Sequence, residues 1–121
     1  MTIAEVSRQF CLSGDTLRYY ERIGLIPPIH KNKSGIRDYQ EEDLKWIQFV
    51  KCMRAAGLPI EVLLEYMELY RQGDETYYAR QALLEEQRDR LIERINEMND
   101  TLDKLNHKID RYHQMAMNGK L

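Results

Sequence analysis

A chain of 121 residues can hold one small domain and an appended element, but not two full domains. Hydrophobic residues at 43% and charged residues at 31% fit a soluble helical protein; no stretch approaches the roughly 18 consecutive apolar residues of a membrane span, and Met1-Thr2-Ile3-Ala4-Glu5 lacks the basic and apolar regions of a signal peptide, so the cytoplasm is the expected location, with no membrane partner. The net charge of −2 speaks against indiscriminate nucleic-acid binding, yet it hides an asymmetry: within residues 16–37, Arg18, Arg22, Lys31, Lys33 and Arg37 face Glu21 alone, whereas 13 acids meet nine bases after residue 58.

The first element is announced by Thr2-Ile3-Ala4-Glu5, a capping box that predicts a short helix to about Phe10. Ser13 offers a second N-cap, and Thr16 to Ile23 reads as a second helix ended by Gly24. Two short helices joined by three or four residues make a helix-turn-helix unit. Pro27-Pro28 stops any helix. Residues 28–39, rich in Lys, Asn, Ser and Gly with a turn at Ser34-Gly35, predict a small two-stranded wing. A third helix from about Gln40 to Gly57 carries Leu44, Trp46, Ile47, Phe49, Val50 and Met53 on more than one face, as a helix packed on both sides would. Pro59 opens a fourth helix to about Arg71, and Gly73-Asp74 is the next break.

The last third has the most regular pattern. Leu91, Ile95, Met98, Leu102, Leu105, Ile109, Tyr112 and Ala116 alternate steps of four and three, between polar residues. This is a heptad seam. It continues back to Leu84, with Arg88 as a polar interruption. A helix over 76–117, free of Pro and Gly, would be roughly 60 Å long. A stripe so narrow on a helix so long needs a partner helix, most simply that of a second copy. The expected fold is therefore mainly α: a winged helix-turn-helix DNA-binding domain with a helix pair (1–72), followed by a long coiled-coil dimerisation helix (73–121).

Chemistry concentrates in Thr16-Leu17-Arg18-Tyr19-Tyr20-Glu21-Arg22, on the second helix of the helix-turn-helix. Guanidinium groups can fork to phosphate or to guanine edges in the major groove, and phenol hydroxyls can fix orientation on phosphate oxygens. Leu17 and one tyrosine are expected to pack inward. Lys31, Lys33, Arg37 and Tyr39 of the wing are placed to reach the flanking backbone. The same pattern also describes an ordinary amphipathic helix with aromatic core residues.

The run Thr16-Leu17-Arg18-Tyr19-Tyr20-Glu21-Arg22-Ile23-Gly24-Leu25-Ile26 resembles the signature of MerR-family regulators, as do Gly35-Ile36-Arg37-Asp38-Tyr39 and Arg54-Ala55-Ala56-Gly57-Leu58. The order of elements is similar over essentially the whole chain. The resemblance implies a homodimer, joined by an antiparallel coiled coil, on an inverted repeat within an overlong promoter spacer. It implies that the spacer is bent and untwisted so that RNA polymerase can read both promoter elements. By position it places Thr16, Arg18 and Tyr19 on the recognition helix at the groove. Tyr20, Arg37, Tyr39 and Arg54 would contact the phosphates or support such contacts.

The input is read from the cysteines. There is no CxxC and no cysteine after residue 52, and His107 and His113 stand six apart, so neither a metal site nor a cofactor is expected. Lys51-Cys52-Met53-Arg54 resembles the AdhR/NmlR subgroup, which implies a thiol at Cys52 responsive to aldehydes or thiol oxidants. Nearby Lys51 and Arg54 would favour a thiolate. The other reading is that Cys52 is a small buried hydrophobe. Cys11 is read as structural. A second function on the same head is an architectural or chromosome-organising DNA-binding protein with no effector. The chain has no Gly-rich phosphate loop and no nucleophile–base pair in a recognisable setting, so it is not expected to be an enzyme.

Overall fold

Local caps set the helix boundaries. In the computed structural model, which describes residues 1–119, α1 spans Ile3–Phe10 and the capping box closes as expected. Thr2 Oγ1 accepts the Glu5 amide at 3.2 Å, and Glu5 Oε1 accepts the Thr2 amide at 3.0 Å. Cys11 ends α1 at φ 54°, in the left-handed region that non-glycine residues seldom enter. Helix α2 spans Gly14–Arg22, starting earlier than Thr16. With Ser13 as cap, Gly14 becomes the first helical residue, and Ser13 Oγ accepts the Thr16 amide at 3.0 Å. Gly24, at φ +84°, turns the chain so that Leu25 and Ile26 are fully buried.

The wing departs from the expected pair of strands. A single antiparallel bridge joins Lys31 to Arg37, and no strand forms among the described residues. The turn is closed by a side chain: Asn32 Oδ1 accepts the amides of Ser34 at 2.9 Å and Ile36 at 3.1 Å. Pro27 and Pro28 have no N–H with which to lengthen a ladder. On the returning arm the Asp38 amide still donates to the His30 carbonyl at 2.7 Å, but the Tyr39 amide donates to the Met1 carbonyl at 2.8 Å, so pairing across the wing ends there.

Helix α3 spans Glu41–Ala55 and α4 Ile60–Gln72. The core gathers Val6 and Phe10 of α1, Leu17 and Tyr20 of α2, Ile47 and Val50 of α3, and Leu63 of α4, together with Leu25, Ile26, Ile29, Tyr39 and Leu58. Leu44, Trp46, Phe49 and Met53 pack against it half-buried, which accounts for the apolar residues spread around α3. Trp46 meets Phe49 and Tyr70 edge-on, with ring centroids 6.1 and 4.8 Å apart.

A 3-10 turn over Asp74–Thr76 leads into α5, Tyr77–Met117, whose 41 residues make it about 60 Å long. Two compact units are distinguished: Met1–Leu83, and the rest of α5 from Leu84. The first unit runs beyond the break at Gly73 because the start of α5 is tied to the end of α4. Arg80 donates to the Gly73 carbonyl and to Thr76 Oγ1, each at 3.0 Å, and lies over the rings of Tyr70 and Tyr77. Along the second unit Ile95, Met98, Leu102, Leu105, Ile109 and Tyr112 are exposed on the single chain, while Leu91 is half-buried. No described helix is long and apolar enough to cross a membrane.

Candidate nucleic-acid interface

The second helix and the wing present the basic residues together on the first unit. Leu17 and Tyr20, three residues apart, face the core; Arg18, Tyr19 and Arg22 face outward. Thr16 is half-buried, its hydroxyl 2.9 Å from that of Ser13. Arg18 carries an exposed pair with Asp15 at 3.0 Å, of the kind that yields easily to a phosphate. The Arg22 guanidinium lies 5.4 Å from the centre of the Tyr19 ring, so the ring holds the cation while leaving its donors available.

In the wing, Lys33 is exposed at the turn. Arg37 is half-buried and donates from Nε to Glu21 Oε1 at 2.7 Å; this bond holds the guanidinium above its usual pKa range, against the opposing effect of burial. Asp38 accepts from the Met1 ammonium at 3.0 Å, which lowers its carboxyl pKa. Tyr39 stands differently from a surface phosphate contact. It is 2% exposed, its hydroxyl is buried without a hydrogen-bond partner among the described residues, and burial raises its pKa. Its ring belongs to the core, as does that of Tyr20, so support from these two residues comes through packing. Arg54 is exposed and donates from Nη1 to the Leu58 carbonyl at 2.9 Å, bracing the turn between α3 and α4.

The thiols lie on the same unit. Cys52 is exposed, not a buried hydrophobe, and Cys11 is exposed too. The cations expected beside Cys52 point elsewhere: Lys51 Nζ donates to the Phe10 carbonyl and Arg54 to that of Leu58. Phe10 is the last residue of α1, whose carbonyl has no partner within the helix, and Leu58 lies in the turn between α3 and α4; both oxygens are good acceptors for a cation. Among the described residues no group of three or more His, Cys, Asp or Glu is arranged to hold a metal.

Sequence alone shows Glu21 only as the one acid in a basic run, and it does not show the Met1–Asp38 contact. The isolation of Glu21 among five cations is the available signal. The terminal ammonium carries no sequence pattern at all.

Comparison with known proteins agrees with this geometry. Residues 1–69 match the model of the MerR HTH family regulatory protein, and residues 44–108 match a second, described as MerR, DNA binding. The HTH-type transcriptional regulator AdhR of Bacillus subtilis (strain 168) is 60% identical over 93 residues, covering 77% of this chain and 66% of that protein, just under two thirds of its length. A MerR family transcriptional regulator from Listeria monocytogenes superposes with a TM-score of 0.94 at 49% identity, over 99% of this chain and 91% of that one. HiNmlR, a MerR family regulator lacking the sensor domain and bound to promoter DNA, superposes with a TM-score of 0.86 at 28% identity, over 98% and 94%. With a recognition helix, a wing, a helix pair and a long terminal helix in the order these relatives share, the chain belongs to the MerR family of DNA-binding helix-turn-helix transcription regulators.

Proposed function

We propose that this regulator acts in the cytoplasm as a homodimer on an inverted-repeat promoter operator, distorting the spacer for RNA polymerase, and that Cys52 receives its chemical signal. The observation that carries the dimer is the exposed seam of α5. Ile95, Met98, Leu102, Leu105 and Ile109 recur at heptad spacing on a helix about 60 Å long, and each is about half exposed or more on the single chain. A seam of this kind is stable in water only against another helix, and a second copy supplies one with the same pattern. Pairing two heads through it matches a two-fold protein to a two-fold operator.

Cys52 supports the input reading by its exposure on the α3 surface and by the resemblance of its surroundings to the AdhR/NmlR subgroup. An aldehyde would react by addition: the sulfur forms a bond to the carbonyl carbon, and the carbonyl oxygen takes the proton given up by the thiol. The adduct places new bulk on α3, the helix whose buried Ile47 and Val50 share the core with Val6 and Phe10 of α1 and with Ile29 and Tyr39. Displacement of that helix would reach the DNA-reading elements.

The test is transcription in vitro from the regulator's own upstream promoter, comparing wild type with Cys52→Ser, each with and without formaldehyde or methylglyoxal. The proposal expects a response in wild type that the variant loses. Equal behaviour of the two, with promoter binding intact, would reject Cys52 as the input. It would leave a regulator with another signal, or the effector-independent architectural role.

A further inference from the structure

The one acid of the basic run is tied into the wing at both of its arms. Glu21 Oε1 accepts from Arg37 Nε at 2.7 Å, across a separation of 16 residues, and Oε2 accepts the Ile29 amide at 3.2 Å. Ile29 lies on the arm that enters the wing and Arg37 on the arm that returns, with the Lys31–Arg37 bridge between them. Among the described residues the two arms share one bridge, with backbone bonds from Asn32 to Ile36 at 2.8 Å and from Asp38 to His30 at 2.7 Å, so the ladder is short and its tie to α2 comes from side chains. Both Glu21 oxygens are used, and the pair is shielded: the side chains are 16% and 30% exposed, against 98% for Asp15 in the Arg18 pair. A charge-assisted bond that is short, half-buried and braced at its second oxygen sets direction, as a solvated pair does not. The bond is made through Nε, so it does not itself engage the two terminal nitrogens of the Arg37 fork.

We propose that Glu21 is a positioning residue for DNA recognition. It locks the wing onto the recognition helix and aims the terminal nitrogens of Arg37 at the DNA backbone, so that helix and wing dock as one unit. This rests on the reading of residues 16–39 as the DNA-binding face. It makes a prediction opposite in sign to simple electrostatics. A carboxylate beside a phosphate-binding face repels DNA, so its neutralisation should tighten binding; removal of a positioning bond should weaken it.

The experiment uses the full chain and the duplex that wild type enriches from a random pool, with binding measured over a range of salt concentrations. Glu21→Gln keeps the shape and one acceptor for the Ile29 amide but loses the charged bond. We expect about tenfold weaker binding, within the range of directly coupled residues. We also expect the salt dependence to flatten by about 0.9 for each phosphate no longer neutralised, as it does for Arg37→Ala. In the Arg37→Ala background, Glu21→Gln should add little, because the guanidinium it aims is gone. A purely structural role would instead lower the melting temperature, weaken binding in both backgrounds and leave the salt slope unchanged. Binding by Glu21→Gln as tight as wild type or tighter, or a loss additive to that of Arg37→Ala, overturns the assignment. Enrichment of no sequence by wild type would overturn the DNA-binding face itself, and this inference with it.

Discussion

Removing the hydroxyl of Tyr39 should make the head more stable. The ring lies in the core, and its hydroxyl is buried with no partner among the described residues. A polar group left in that state costs about 1–3 kcal/mol relative to its hydrated form. Tyr39→Phe deletes the hydroxyl and keeps the ring, so packing with its neighbours is preserved. Allowing for the small void left behind, a gain of about 1 kcal/mol is expected, equivalent to about 4–8 °C in the melting temperature of a domain of this size. Thermal and urea unfolding of the full chain, followed by far-ultraviolet circular dichroism, would read it. A destabilisation of about 1 kcal/mol or more would refute the reasoning, because it would mean that the hydroxyl is bonded, for instance to an ordered water. The same variant separates two roles in DNA binding. If Tyr39 acts through its ring, operator affinity stays within about threefold of wild type; a weakening of about 2 kcal/mol would show the hydroxyl reaching a phosphate in the complex.

Two further predictions concern the seam and acid. Leu102→Asp should convert the dimer to monomer: Leu102 is 51% exposed on the single chain, so pairing buries about half of it, worth roughly 1 kcal/mol per copy, and each new carboxylate would cost several kcal/mol to desolvate. Sedimentation at micromolar concentration would show it, and a surviving dimer would move the interface elsewhere. For acid, the folded-state pKa values of Asp38 and Glu5 are lowered, the first chiefly by its bond to the Met1 ammonium and the second by its bond to the Thr2 amide. Their stabilising contribution is complete above the ordinary carboxylate range and is lost as pH falls through the lowered values. The melting temperature should therefore begin to drop below about pH 4, and Asp38→Asn should flatten that drop. An identical acid profile for Asp38→Asn would show that this bond adds nothing to stability.

What could be read from the sequence was local or periodic. The Thr2–Glu5 box and the Ser13 cap depend on residues three apart, and the α5 seam repeats every seven, so each leaves its mark in the order of residues. The wing was legible as a turn but not as a structure, because Asn32 closes it with a side chain where a ladder was expected. The burial of Tyr39, the reach of Lys51 to Phe10 and the two bonds of Glu21 join residues 8 to 41 positions apart. Contacts of that kind have no period. Composition could count Glu21 among the cations but could not say which of them it holds.

The same distinction bears on how the head can be perturbed. A wing built on a long ladder would keep its place whatever happened at one end. Besides the core packing of Ile29 and Tyr39, this wing is held by one short bridge, by the Glu21 carboxylate and by the contact of Met1 with Asp38 and Tyr39. Two of these supports are ionic, and the Glu21 support stands on α2 itself. Substitutions at Glu21 or Asp38 would therefore act on DNA binding through geometry, without removing a group that touches DNA. They would differ in pH response. The Asp38 support fails only as acid protonates a carboxyl whose pKa is already lowered, whereas Glu21→Gln removes the other at every pH. At neutral pH, an Asp38→Asn substitution that weakens operator binding more in the Glu21→Gln background than in wild type would show the two supports sharing one load; equal effects in both backgrounds would show that they act independently.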